Sequence, residues 1–205
     1  MNKLLHTLAL VAVTLALVGC IGAPGGPATP INFYRLEYTP KNDEADVAAK
    51  HEEKLLVKVT SAGILKTPRM LMAPSEYELD YAESKRWAEP LTAAFTRILV
   101  VGLRQDFGEV EGVPVNIGYH PDYRVNVMIE KLWGTAKGEI LLSVSWQVTN
   151  AKDALVASGR KDIRRSGWRT GDYRQLAERV SSMTPELVEA VRDTLSSLDE
   201  AKENL

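Results

Sequence analysis

One cysteine and three histidines among 205 residues leave this chain with few of the side chains that covalent and metal chemistry use. A single thiol forms no internal disulfide, so the fold has to be held by packing alone. Zinc takes three or four ligands of the Cys, His or carboxylate kind, and no such cluster is spaced along the chain. No GxSxG elbow, HExxH pair or GxxxxGK[ST] phosphate cradle occurs, which removes the common nucleophile, metalloprotease and nucleotide-binding signatures. Charge of one sign is also missing: 25 cations against 27 anions give a net charge of −2, and no global field draws the protein to nucleic acid. Long apolar runs are absent except at the start, where Leu4 to Val18 gives about 15 mostly apolar residues, fewer than the roughly 20 a membrane helix needs.

That run follows Met1-Asn2-Lys3 and leads into Leu17-Val18-Gly19-Cys20, then at once into glycine and proline. A short positive start, an apolar stretch and small residues before a cut site are the parts of a secretory signal. The last four residues resemble the bacterial lipobox, whose cysteine is lipidated on sulfur and becomes the new N-terminus. On this reading residues 1–19 are removed, which leaves 186 of the 205 residues, and the loss of Lys3 leaves 24 cations against 27 anions, a net charge of −3. One acyl chain binds a membrane only marginally, at about 0.8 kcal/mol per buried CH₂, whereas the three chains of such a lipoprotein attach it for good. In enteric-type sorting an Asp after the cysteine retains the protein in the inner membrane. Ile21 stands there, which points to the periplasmic face of the outer membrane, with the inner membrane as the alternative.

Residues 20–30 hold the cysteine and a Gly/Pro-rich tether. One domain is expected over 31–200, with 201–205 as a frayed end. Lys41 to Lys54 reads as a loop or short exposed helix. Tyr34, Leu36 and Tyr38 alternate with charged residues as a half-buried strand does, and Leu55, Val57 and Val59 mark a more central one. Pro68 to Met72 is a short apolar piece, and Tyr77, Leu79 and Tyr81 alternate with Glu76, Glu78 and Asp80. The period then lengthens, and Trp87, Leu91, Ala94, Phe95, Ile98, Val101 and Gln105 predict a helix from Trp87 to about Asp106. Tyr123, Val125, Val127, Ile129 and Trp133 are expected on one strand face, Ile140 to Val148 on the next, and a third strand follows from Leu155, an antiparallel meander. Leu176 to Leu198 forms a second helical stripe, and Pro185 predicts a kink near Ser182 or a break with Thr184 as a new N-cap. Two long amphipathic helices on a mixed or antiparallel sheet of five to six strands make an α/β two-layer sandwich.

The candidate functional residues are few. No catalytic or metal-ligating set is expected, and no cofactor apart from the covalent lipid on Cys20. His51, in a charged loop, and His120 read as surface histidines, and Glu76, Glu78 and Asp80 as the wet side of a strand. Trp87 reads as core rather than ligand. Gly159 to Arg169 carries five cations, one acid and a tryptophan. With Arg164, Arg165 and Trp168 at its centre, this strip could meet an acidic partner rim or anionic headgroups, and its plainer reading is a solvated strand end.

Tyr34-Arg35-Leu36, the strand Glu78 to Tyr81, and Trp87-Ala88-Glu89-Pro90-Leu91 opening a helix resemble, in this order after a lipidated cysteine, the ABC-type transport auxiliary lipoprotein family. Pro185, inside a helix the family usually runs unbroken, and a long Lys41 to Lys54 segment depart from its pattern. The resemblance implies a non-enzymatic accessory subunit of phospholipid transport across the Gram-negative envelope. Its partner would be a periplasmic protein with MCE (mammalian cell entry) domains and, through it, an inner-membrane ABC transporter, in an assembly compatible with a homo-oligomer. The competing expectation is an envelope structural or adaptor lipoprotein without lipid traffic.

Overall fold

The computed structural model describes residues 29–39, 50–115 and 118–203. The apolar run Leu4 to Val18, Cys20, most of the tether and most of the Lys41 to Lys54 segment lie outside the described residues.

Eight strands form one mixed sheet: β1 (Asn32–Tyr34), β2 (His51–Ser61), β3 (Arg69–Ser75), β4 (Glu78–Trp87), β5 (Phe107–Gly112), β6 (Tyr123–Thr135), β7 (Glu139–Asn150) and β8 (Leu155–Ser166). Two helices, α1 (Leu91–Leu103) and α2 (Tyr173–Glu203), complete the α/β domain. The sheet branches at β6. Along one edge β7 runs antiparallel to it, followed by β8. Along the other edge β2 pairs with Tyr123–Ile129 and β3 with Gly134–Thr135, both parallel, so two strands share one edge end to end. A 3-10 turn at Gly63–Leu65 joins them. Beyond β2 lies β5, and beyond β3 lie β4 and then β1.

The core forms between Leu55, Val57, Val125, Val127, Ile129, Leu142 and Val144 of the sheet and the apolar stripes of the two helices. In α1 the stripe is Leu91, Ala94, Phe95, Ile98, Leu99 and Leu103; in α2 it is Leu176, Val180, Met183, Leu187, Val191 and Leu195. Removing this apolar area from water, at about 25 cal/mol per Å², is what holds a domain without disulfides together.

Several expectations are corrected. The sheet has eight strands rather than five to six, because β5 escapes a period-2 reading: only Phe107 and Val110 of it are buried, three residues apart. Trp87 ends β4 instead of opening a helix, since its amide donates to Pro68 O at 2.7 Å and the next, Ala88, to Tyr34 O at 2.7 Å. The helix begins only after Pro90, whose ring fits a helix entry but not its interior, and Val101 lies exposed on its far side. The first helix is therefore short, 13 residues against 31 for the second. His51 is no loop residue; it opens β2 and stacks on Phe107 at 4.7 Å between ring centroids. Trp133 is on the opposite side of the sheet from Ile129, because an extra residue, Glu130, is inserted between the pairs Ile129–Val144 and Lys131–Ser143. Such a bulge shifts the alternation by one, so Leu132 rather than Trp133 enters the core.

Pro185 breaks nothing: α2 is one helix through it. A proline at this place removes the N–H that would bond Ser181 O. The Thr184 hydroxyl donates to that same carbonyl at 2.8 Å, so the orphaned acceptor keeps a partner. Thr184 is fully buried in doing so.

Candidate functional site

β8 and the loop after it carry the basic strip, and pairing with β7 decides where each side chain goes. Arg165 stands opposite Ile140, and Lys161 opposite Val144, so both lie on the helix-covered face. There they close on one acid of α2: Arg165 Nη2 donates to Glu186 Oε2 at 2.6 Å, and Lys161 Nζ lies 3.2 Å from Oε1. The Arg165 bond holds the Glu186 carboxyl below its usual range. Arg160, opposite Ser145, and Arg164, opposite Leu141, lie on the other face. The Arg160 guanidinium forks onto both oxygens of Asp162, at 3.0 and 3.2 Å, and reaches Glu130 Oε2 at 2.6 Å. This fork pulls the Asp162 carboxyl down and raises the guanidinium further. Arg164 lies 3.5 Å from Glu139 Oε1 and keeps most of its surface in water.

Trp168 is buried. Its ring lies on Gly134, where a Cβ would come within 2.2 Å of it, and its Nε1 donates to Asp172 O at 2.8 Å. It meets Tyr173 edge-on at 6.4 Å. Asp172 in turn accepts the amide of Gln175 at 3.1 Å, capping the first turn of α2. Arg164, Arg165 and Trp168 thus occupy an open face, an ion pair and a core contact, and the strip is not one surface. Trp87, at 5% exposure, is core.

The open face around Arg164 holds a groove of about 660 Å³, the size of a ligand or peptide site. Its floor is Leu79, Trp133 and Leu141, and its rim includes Tyr77, Lys131 and Lys137. Tyr77 is almost wholly exposed. Unbroken alternation along β6 hides this groove in the sequence, because it places Trp133 inward. The signal was present: Glu130 and Lys131, two consecutive charges between Ile129 and Leu132, cannot both face a core.

Elsewhere Asp106, nearly buried, is paired with both Lys50 and Arg192. His120, Glu76, Glu78 and Asp80 are exposed. Among the described residues no three His, Cys, Asp or Glu side chains stand close enough to share a metal ion. No described helix is long and apolar enough to cross a membrane.

The fold has solved relatives. Protein XCC0632 from Xanthomonas campestris superimposes with a TM-score of 0.70 at 18% identity, over 85% of this chain and 100% of that one. A second crystal structure, of an uncharacterized protein, gives 0.64 at 14% identity, over 82% and 99%. No curated protein matches the chain. The sequence model of the ABC-type transport auxiliary lipoprotein component matches residues 34–201, nearly the whole domain from β1 to the end of α2, and the chain therefore belongs to that family.

Proposed function

We propose that this protein is the envelope-anchored accessory subunit of an ABC/MCE-type phospholipid transport system, tethered through a lipidated Cys20 to the periplasmic face of the outer membrane. The observation that carries the reading is the family match over 34–201 in a chain that also bears Leu17-Val18-Gly19-Cys20. The family is one of transport auxiliary lipoproteins. The subunit works by docking rather than by chemistry.

The open-face groove supports that reading. A half-buried tryptophan between two leucines, with Arg164, Lys131 and Lys137 nearby, has the make-up of an interface centre, where aromatic and arginine residues carry most of the binding energy. In-cell cross-linking from a photoreactive residue at Tyr77, with mass spectrometry of the captured chain, is the test. An MCE-domain protein supports the proposal; capture of cell-wall or scaffold proteins alone favours the structural or adaptor role and overturns it. Arg164→Glu should weaken the capture. Arg165→Glu should not be used for this purpose, because it sets two acids against each other under α2.

A further inference from the structure

The β1–β4–β3 edge carries a second surface. Tyr34 pairs with Trp87, and Trp87 is buried on the helix side. The neighbouring pair therefore points the other way: Phe33 stands opposite Arg86, and Arg86 opposite Arg69. Phe33 is 65% exposed and Ile31 54%.

Like charges set directly across two strands repel. Here they are brought still closer by a shared acceptor, since Arg69 Nε and Arg86 Nη1 both donate to Ala82 O, at 3.2 and 2.8 Å. Their other bonds go to Tyr81 O, Lys85 O and Glu83 O, and Arg69 lies 5.3 Å over the Tyr81 ring. All of these acceptors are neutral. Every carboxylate ion pair found among the described residues leaves Arg69, Arg86 and the adjacent Lys85 out; the Lys85 amine bonds Asn32 Oδ1 at 2.5 Å. Among the described residues, two guanidiniums are thus fixed in place with no carboxylate paired to them, beside an exposed aromatic and an exposed aliphatic side chain. A phosphodiester oxygen satisfies guanidinium donors, and Phe and Ile gain from leaving water for the headgroup boundary.

Chain length says which phosphodiester is at hand. Ten residues lie between Cys20 and Ile31, and the eleven steps at 3.3–3.6 Å each reach at most about 40 Å. Ile31 and Phe33 are the exposed apolar residues of the domain nearest that cysteine along the chain. We infer that the β1–β4–β3 edge seats on the phospholipid surface that holds Cys20, with Phe33 and Ile31 entering the interface and Arg69 and Arg86 engaging headgroup phosphates. This rests on the anchoring reading above, and it orients the domain so that the open-face groove has a fixed place relative to the membrane.

The test uses the full lipidated chain in vesicles of phosphatidylethanolamine and phosphatidylglycerol, after mass spectrometry of its N-terminal peptide has read the thioether. With Cys20 acylated, an introduced cysteine is the only free thiol. A nitroxide at Ile31→Cys should lose collisions with a water-soluble nickel complex several-fold and gain them with oxygen. The same label at Leu155→Cys, five strand spacings or about 24 Å across the sheet, should stay in water. Arg69→Gln with Arg86→Gln, or Phe33→Ser alone, should return the Ile31 label to water. Equal water exposure at both positions, shielding of Ile31 from both reagents, or shielding that survives the arginine substitutions overturns the inference. If the mass shows a free Cys20 the anchoring reading falls by itself, and flotation of the protein with the same vesicles decides the surface: flotation lost in the double variant keeps it, and no flotation overturns it.

Discussion

Thr184→Val measures what lets a 31-residue helix run through a proline. The substitution keeps the shape of a fully buried side chain and removes only the hydroxyl that bonds Ser181 O. With Pro185 unable to supply an N–H, that carbonyl has no donor left in its own helix. Leaving a buried polar group unpaired costs about 1–3 kcal/mol, which for a domain of this size lowers the melting temperature by roughly 2–4 °C per kcal/mol. The decisive comparison is a double-mutant cycle read by circular dichroism at 222 nm. Pro185→Ala restores the amide donor to Ser181 O and, in a helix interior, removes a penalty of about 3 kcal/mol. In that background Thr184→Val should cost well under 1 kcal/mol, so the coupling should approach the whole effect of the single change. An equal loss in both backgrounds would show that the hydroxyl matters for packing alone and would refute the account.

Three further outcomes are expected. Trp87→Ala should lower stability by about 3–5 kcal/mol, as truncation of a buried tryptophan does, and an unchanged melting curve would refute its burial. Gly134→Ala drives a Cβ into the Trp168 ring, for which overpacking costs about 1–3 kcal/mol; the check is a lower unfolding midpoint in urea together with a red shift of tryptophan emission. Acid should destabilise the protein partly through Glu186, whose folded carboxyl titrates below its unfolded value because Arg165 bonds it. That stabilisation is complete above the ordinary glutamate range and is lost as the pH falls to the folded value. Glu186→Gln should therefore flatten the acid limb of a stability–pH curve, and an unaltered slope would remove Glu186 from it.

The elements legible in the sequence were those in which one periodicity ran long enough to be unambiguous. β7 shows five alternate apolar residues from Ile140 to Val148, and all five are buried. α2 shows its stripe over the same residues that pack the core. Where the reading failed, a local backbone event had reset the period. The stripe starting at Trp87 has a helical period because Trp87, Leu91 and Ala94 are three or four apart, yet the first of them is held by strand hydrogen bonds and only the others by the helix. Side-chain spacing is blind to which carbonyl an amide chooses. The same blindness hid β5 and placed Trp133 inward.

The basic strip teaches the complementary lesson, because the information needed was already in it. Consecutive residues of a strand face opposite ways, so Arg164 and Arg165 could never both belong to one contact surface once a strand was expected from Leu155. Counting five cations in eleven residues measured density along the chain, whereas recognition depends on density over a face. Sorted by place, two of those cations are spent on Glu186, a third on Asp162 and Glu130, Arg169 lies exposed in the loop after β8, and only Arg164 remains by the groove. Arg69 and Arg86 invert the case: seventeen positions apart in sequence, they become neighbours because β3 and β4 pair antiparallel. A charge cluster that arises from pairing alone leaves no local trace in the sequence, and a two-site experiment, Arg69→Gln against Arg164→Gln on partner capture and on membrane seating, should separate the two surfaces by affecting one readout each.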